Sequence, residues 1–222
     1  MRAPVHRLKK ADIVWLGGHS CKHSHSYLEH YSCYLDEHPD EGIRIGYLDI
    51  ETTNLDANWG ICVCYCIKVH DEDKIYSRLI KPKELRGKYL DKELCQQFLL
   101  DLAKFDKVVT YYGTRFDIPY MRTRCLINGL DFPEYGQLFH KDIYYVIRNK
   151  FKFNRNRQEL ACRMLLGDTE KTHFGLDYWI RAAAGDKKAL AYILDHCKRD
   201  VRDLNKLTNK VVNFHLPSNK SV

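Results

Sequence analysis

The sequence predicts an α/β domain in which helices flank a mixed β-sheet. Two observations support this class: apolar runs of strand length dominate the first half of the chain, and helical periodicity dominates the second half. The 222 residues are 45% hydrophobic, which is enough to bury a core of ordinary size. We therefore expect one domain, preceded by a small segment of different composition.

The individual elements follow from local patterns in chain order. The predicted elements of the first half are strands over residues 43–50, 61–69 and 74–80, a helix over 91–105 and a strand over 107–111. Cys62, Cys64 and Cys66 alternate with apolar residues, which predicts a strand buried on both faces with its thiols packed as small apolar groups. An odd total of nine cysteines without a secretory signal argues against a disulfide framework.

The final helix is the clearest element of the second half. Apolar residues recur at helical spacing between Leu190 and Leu204, and Asp186 is the expected N-cap. At about 100° per residue, Asp200 lies at the edge of this apolar stripe and His196 lies one turn before it. We expect both side chains to border a cleft, neither buried in the core nor free in solvent.

Composition and charge exclude several classes of protein. No apolar run approaches the roughly 20 residues of a membrane span, and the apolar stretch after the basic residues 1–10 is too short for a signal peptide. These features predict a cytoplasmic protein without membrane contact. The formal net charge of +7 fits a polyanionic partner, although many proteins that bind no nucleic acid carry a similar charge.

The positive charge is densest in what we call the basic segment, residues 141–163. Its basic side chains are Lys141, Arg148, Lys150, Lys152, Arg155, Arg157 and Arg163. The aromatic residues Tyr144, Tyr145, Phe151 and Phe153 interleave with them. This pattern fits either a solvated helix face or a surface that follows a phosphate backbone and stacks on bases.

The candidate catalytic groups are carboxylates. Asp49 and Glu51 are two residues apart near the end of the first strand, so their side chains project from the same face. Two neighbouring anions repel unless a cation lies between them, and carboxylate oxygens suit Mg²⁺ or Mn²⁺. A solvent-facing pair of acids is the alternative. Asp117 opens a helix after a strand and a glycine-containing loop, where aspartate is also a common N-cap.

Together with the final helix, these segments resemble the DEDD superfamily of 3′→5′ exonucleases, which has a ribonuclease-H-like fold. The resemblance is carried by Asp-x-Glu-Thr-Thr at 49–53, Tyr-Gly-Thr-Arg-Phe-Asp at 112–117 and His-x-x-x-Asp at 196–200. It covers about residues 43–210 and is greatest to the stand-alone bacterial and phage exonuclease domains. Two positions depart from the family: Tyr112 stands where Asn is frequent, and His196 stands in the register of a Tyr.

The resemblance implies a 3′→5′ exonuclease that hydrolyses DNA or RNA by a two-metal-ion mechanism, with a single-stranded 3′ end as its partner. The implied ligands of two Mg²⁺ or Mn²⁺ ions are Asp49, Glu51, Asp117 and Asp200, and His196 would position the attacking water. The expected nucleic-acid contacts are Thr52, Leu55, Tyr112, Arg115, Arg155 and Arg157. A non-catalytic nucleic-acid-binding module and a structure-selective endonuclease on the same fold are the alternatives.

Residues 1–42 form a Cys/His-rich segment that we expect to be separate from the ribonuclease-H-like domain at 43–215, with Pro39–Gly42 as the linker. Cys21, His23, His30 and Cys33 could supply an N₂S₂ ligand set for one structural zinc ion, with two further histidines as spares. Their spacing is not that of common zinc fingers. A His-rich arm that binds no metal is the alternative.

Overall fold

The computed structural model describes residues 10–38, 43–170, 172, 175–214 and 220–221. In chain order, its helices and strands are α1 (Lys10–Gly18), α2 (Tyr31–Glu37), β1 (Ile45–Thr52), β2 (Cys62–Val69), β3 (Ile75–Leu79), α3 (Pro82–Leu85), α4 (Lys92–Leu102), β4 (Lys107–Thr110), α5 (Asp117–Ile127), β5 (Phe139–Asp142), α6 (Ile143–Lys150), α7 (Gln158–Leu166), α8 (Leu176–Ala183), α9 (Lys187–Val211) and β6 (Lys220–Ser221). Nowhere in these ranges does a helix combine the length and the apolar composition of a membrane span.

The strands form one mixed sheet in the order β3-β2-β1-β4-β5-β6, which confirms the predicted α/β class. β1 pairs antiparallel with β2 and parallel with β4, and β4 pairs parallel with β5. Because β1 and β4 run in the same direction, their C-terminal ends lie at the same edge of the sheet. The acids at the end of β1 therefore lie beside the loop that leads from β4 into α5.

The core lies between the sheet and the helices that flank it, of which α9 is the longest described. All of β2 up to Lys68 is buried, and its cysteines form no disulfide, as the alternating pattern predicts. α9 packs against β1 and β2, where the Cys197 thiol donates to the backbone carbonyl of Asp49 at 3.4 Å. Asp186 caps the helix, since its carboxylate accepts from the backbone N–H groups of Lys188 and Ala189 at 2.8 and 3.0 Å.

A buried ion pair joins two helices, a strand and a loop. The Asp91 carboxylate, which has 0% exposure, accepts from Nε of Arg124 at 2.9 Å and from Nη2 at 2.7 Å. The backbone N–H of Cys62 and the amide of Asn128 also donate to it, at 2.9 and 3.1 Å. Arg124 in turn donates through Nη1 to the Ala57 carbonyl at 3.0 Å. The network thus links the start of α4, α5, β2 and the loop between β1 and β2.

The second half of the chain is less purely helical than its sequence pattern predicts, because β5 interrupts it. β5 contains a histidine, a lysine and an aspartate in four residues, so its sequence lacks the apolar alternation of a strand. The strand forms through parallel pairing with β4, which buries His140 and Asp142. Tertiary pairing here overrides a weak local preference.

The N-terminal segment has a small core of its own. Its buried residues are Leu16, Cys21, Tyr27, Cys33 and Tyr34. Phe139 at the start of β5 and Ile43 pack against this core, so the segment contacts the end of the sheet where β1 and β5 begin. The predicted linker Pro39–Gly42 and the predicted domain end at residue 215 lie outside the described residues, and the division of the chain at residue 42 stays a prediction.

The buried His140 predicts a loss of stability in acid. Its Nε2 lies 2.7 Å from Oγ1 of Thr110, and burial lowers its pKa to about 4, against the opposing charge of Asp142. An unfolded histidine has a pKa near 6.5, so its stabilising contribution is complete above pH 6.5 and is lost as the pH falls to 4, by about 3 kcal/mol. Urea unfolding at pH 7 and pH 4 measures this loss.

The matched variant is His140→Gln, which cannot titrate in this range. We expect the free energy of unfolding of the natural protein to fall by more than that of His140→Gln between the two pH values. The same fall in both proteins would show that His140 does not cause the acid sensitivity.

Candidate active site

Three of the residues singled out by sequence lie together at the end of β1. Nε2 of His196 is 3.6 Å from Oε1 of Glu51 and 3.6 Å from Oδ2 of Asp200. One donor atom from each of these side chains lies within 4.8 Å of the other two. The arrangement joins the end of β1 to the middle of α9, although about 145 positions separate the two elements in the chain. His196 and Asp200 are each 6% exposed, which is more buried than the periodicity predicts.

Asp117 is held against the same strand end. As the first residue of α5, it accepts from the backbone N–H of Ile50 at 3.2 Å, between Asp49 and Glu51 in the chain. Asp117 is 4% exposed, and this burial raises the pKa of its carboxyl to about 7, with the negative charges of Asp142 and Asp200 acting in the same direction. Asp49 and Asp117 are not part of the group of three.

A bulge ends the regular pairing of β1 at the site. The register of β1 against β2 shifts between Glu51 and Thr52. Bulges of this kind redirect a side chain and end a ladder, and they are common beside active sites. The hydroxyl of Thr52 then donates to the Asn54 carbonyl at 2.8 Å, which starts the loop toward β2. The bulge therefore marks the change from sheet to loop next to Glu51.

Thr172 orients the imidazole of His196, and sequence reasoning missed it. Its Oγ1 lies 2.9 Å from Nδ1 of His196, so Nε2 is the nitrogen that faces the carboxylates. Gln158 contacts α9, because its side-chain amide donates to the backbone carbonyl of Asp200 at 2.8 Å. Both contacts join residues that are far apart in the chain, so no local sequence pattern indicates them.

Asp142 holds the loop between β4 and α5, and its role was also missed. Its carboxylate accepts from the backbone N–H groups of Tyr112 and Thr114 at 2.8 and 2.9 Å. Tyr112 has φ of 69°, a left-handed conformation that Asn adopts more readily than Tyr, so these bonds offset backbone strain. A Cβ on Gly113 would lie 2.3 Å from Oγ1 of Thr110, which excludes any larger residue there. The sequence signal for Asp142 was its position just before α6, where its carboxylate accepts from the backbone N–H of Tyr144 as an N-cap.

Exposed apolar and aromatic side chains lie on two sides of the acids. Leu55 and Trp59, in the loop between β1 and β2, are 79% and 81% exposed. Trp59 was not singled out by sequence, although an exposed tryptophan is a frequent contact for a partner. On the other side, the ring of Tyr112 lies 4.7 Å from that of Tyr144, which lies 5.2 Å from that of Tyr145.

The basic side chains predicted to contact nucleic acid are exposed. Arg115 is exposed and hydrogen-bonds Tyr145, while Arg155 and Arg157 are exposed in the connection between α6 and α7. Within the basic segment Lys141 is half-buried, and Arg163 pairs with Glu159 at 2.8 Å. The other basic side chains of the segment are available to solvent or to an anionic partner.

The donor set at the end of β1 fits a hard divalent cation. Carboxylate oxygens with one imidazole suit Mg²⁺ or Mn²⁺, and a positive charge would counter both the burial and the neighbouring negative charges that raise the pKa of Asp117. In the described part of the chain, the other group of side chains with metal-binding geometry is Cys21, His23, His30 and Cys33. Its thiols and imidazoles are softer ligands than those at β1.

Comparisons with known proteins match the sheet and its helices. A family model described as the RNase H superfamily matches residues 46–212. A DNA polymerase of Methanocaldococcus jannaschii is 28% identical over 131 residues, covering 49% of this chain and 8% of that protein. The family B DNA polymerase of the hyperthermophilic archaeon Pyrobaculum calidifontis shares the fold, with a TM-score of 0.58 and 19% identity over 77% of this chain and 24% of that one. The chain thus spans a small part of the length of both polymerases.

Proposed function

The chain belongs to the RNase H superfamily, and from this premise we propose that it is a metal-dependent 3′→5′ exonuclease acting on single-stranded DNA or RNA. The observation that carries the proposal is the convergence of Glu51, His196 and Asp200 at the end of β1, with the buried Asp117 bonded to the same strand. A module that only binds nucleic acid has no use for acids at this point, because they repel the phosphate backbone.

Asp49, Glu51, Asp117 and Asp200 are the proposed ligands of two Mg²⁺ or Mn²⁺ ions. When bound, such ions lower the pKa of water and stabilise the negative charge that develops during phosphodiester hydrolysis. The protein contributes the arrangement of the carboxylates, which β1, α5 and α9 hold in place before the substrate arrives. Repulsion among these acids is a cost of folding that the cations would offset.

His196 is the group that we propose accepts the proton of the attacking water. Imidazole is the side chain whose protonation changes near neutral pH, and Thr172 leaves its Nε2 directed at the carboxylates. Glu51 and Asp200, each 3.6 Å from that nitrogen, would stabilise the imidazole once it has gained a proton. This arrangement gives a role to His196, which stands where the family that the sequence resembles has tyrosine.

The surface around the acids supports a single-stranded substrate. Trp59 on one side and the ring of Tyr112 on the other are exposed enough to stack on unpaired bases, and Leu55 is exposed enough to pack against one. Arg115 and the exposed basic side chains of the basic segment, Arg155 among them, would bind the phosphates. Base pairs would keep the faces of the bases away from these side chains, so duplex substrates should bind less well.

The test uses 5′-labelled single strands of DNA and of RNA with the same sequence, and a circular single strand of each. With Mg²⁺ or Mn²⁺ we expect a ladder of products shortened from the 3′ end, no reaction in EDTA, and intact circles. Cleavage of the circles would show an endonuclease. No cleavage of any strand with either metal would reject a nuclease and favour the binding module.

A further inference from the structure

Outside the proposed active site, the structure brings four side chains of the N-terminal segment to one point: Cys21, His23, His30 and Cys33. The Cys33 sulfur lies 3.3 Å from Nδ1 of His23 and 3.2 Å from Nδ1 of His30. The Cys21 sulfur lies 4.0 Å from each of the same nitrogens. Both imidazoles therefore present Nδ1 to both sulfurs, and all the donor atoms lie within 4.8 Å of one another.

These distances match the edges of a tetrahedral zinc site. Zinc binds cysteine sulfur at about 2.3 Å and histidine nitrogen at about 2.0–2.1 Å, so neighbouring sulfur and nitrogen ligands are about 3.6 Å apart. The four observed sulfur–nitrogen distances, 3.2 to 4.0 Å, lie on both sides of that value. Thiols are weak hydrogen-bond donors, so hydrogen bonding alone gives little reason for all four groups to converge.

The backbone prepares the ligands in two turns. The first turn carries Cys21 and His23 and is closed by the backbone N–H of Ser24 donating to the Cys21 carbonyl at 2.9 Å. The second carries His30 and Cys33 and is closed by the N–H of Cys33 donating to the His30 carbonyl at 3.0 Å. Each turn thus contributes one sulfur and one nitrogen, and a metal ion would join them across the intervening residues.

The size of the segment explains why it would need a metal. Its core consists of a few buried side chains between two short helices, α1 and α2. Segments below about 40 residues rarely bury enough apolar surface to fold without a disulfide, a metal or a partner. Cys21 and Cys33 form no disulfide in the structure.

We propose that Cys21, His23, His30 and Cys33 bind one structural Zn²⁺ ion that fixes the N-terminal segment and its packing against Phe139. The site lies before the region matched by the family model, residues 46–212, so the proposal does not depend on the nuclease assignment. Its thiolate and imidazole ligands prefer zinc, whereas the carboxylates at β1 prefer Mg²⁺ or Mn²⁺. The chain would then hold two kinds of metal ion at chemically distinct sites.

The experiment measures zinc in the purified full chain and the absorption spectrum of the protein after replacement of zinc by Co²⁺. We expect one zinc per chain, and intense tetrahedral cobalt bands with thiolate charge-transfer absorption. Cys33→Ser should lose the zinc. His25→Asn is the matched control, because His25 is exposed in the same loop, with its ring 4.9 Å from that of His30, and lies outside the group.

Glu51→Gln is the second control and should keep the full zinc content, which separates this site from the one at β1. If Cys33→Ser does not fold, the zinc content and cobalt spectrum of the natural chain decide the question alone. A natural chain without zinc, a disulfide between Cys21 and Cys33, or a cobalt spectrum without thiolate bands would overturn the proposal. So would full zinc retention by Cys33→Ser or loss of zinc by His25→Asn.

Discussion

The Glu51→Gln variant is expected to lose nuclease activity by at least roughly 1,000-fold, equivalent to about 4 kcal/mol of transition-state stabilisation. Glu51 lies 3.6 Å from His196 and within 4.8 Å of a donor atom of Asp200, so it is central to the proposed cation site. The amide keeps the shape of the side chain but removes its charge. Rates of release of 3′-terminal nucleotides under single-turnover conditions measure the loss.

The fold of Glu51→Gln should be intact, because the substitution removes a repelling charge from a crowded group of acids. In EDTA we expect its melting temperature to equal or exceed that of the natural protein. Mg²⁺ should raise the melting temperature of the natural protein and not that of the variant, since a ligand stabilises only the state that binds it. The exposed Glu72, replaced by Gln, is the control and should change neither quantity. Normal cleavage by Glu51→Gln would remove this residue from the mechanism.

The Arg124→Met variant should lose about 3–5 kcal/mol of folding stability. The substitution leaves the carboxylate of Asp91, which has 0% exposure, buried without its bidentate partner. It also removes the bond to the Ala57 carbonyl. Urea unfolding measures the change, which should appear in the midpoint of the transition with an unchanged slope.

Arg163→Met is the matched control for this prediction. It breaks the ion pair with Glu159, in which Arg163 is 55% exposed, and surface pairs of this kind contribute at most about 1 kcal/mol. The double variant Asp91→Leu/Arg124→Met should recover part of the lost stability, because replacing both charges leaves no buried ion unpaired. If Arg124→Met costs no more than Arg163→Met, the buried pair does not stabilise the fold.

The local patterns of the sequence are sufficient to predict the elements that carry the acids. A strand of apolar residues ending in Asp49 and Glu51, a helix beginning at Asp117 and an apolar stripe beside Asp200 each follow from spacing alone. The sheet order that brings the ends of β1 and β4 to one edge is consistent with those patterns. The catalytic and metal-binding roles of these residues stay predictions that the experiments above test.

The contacts that complete the site depend on distant parts of the chain. Asp142 reaches the loop at Tyr112 only because β5 pairs with β4, and β5 has no strand pattern of its own. Thr172 meets His196 across 24 positions of the chain. In the N-terminal segment the sequence offers six neighbouring candidates for zinc, and the fold brings together the four chosen from the sequence, leaving out His19 and His25.

One helix connects the chemistry to the surface beside it. α5 begins with Asp117, at the acids, and two turns later carries Arg124, which holds the carbonyl of Ala57 in the loop that presents Leu55 and Trp59. A tilt of α5 would therefore shift both Asp117, a proposed metal ligand, and the loop proposed to contact the bases. If the proposed roles hold, we expect substitutions that change the packing beneath α5 to alter both turnover and affinity for the strand end.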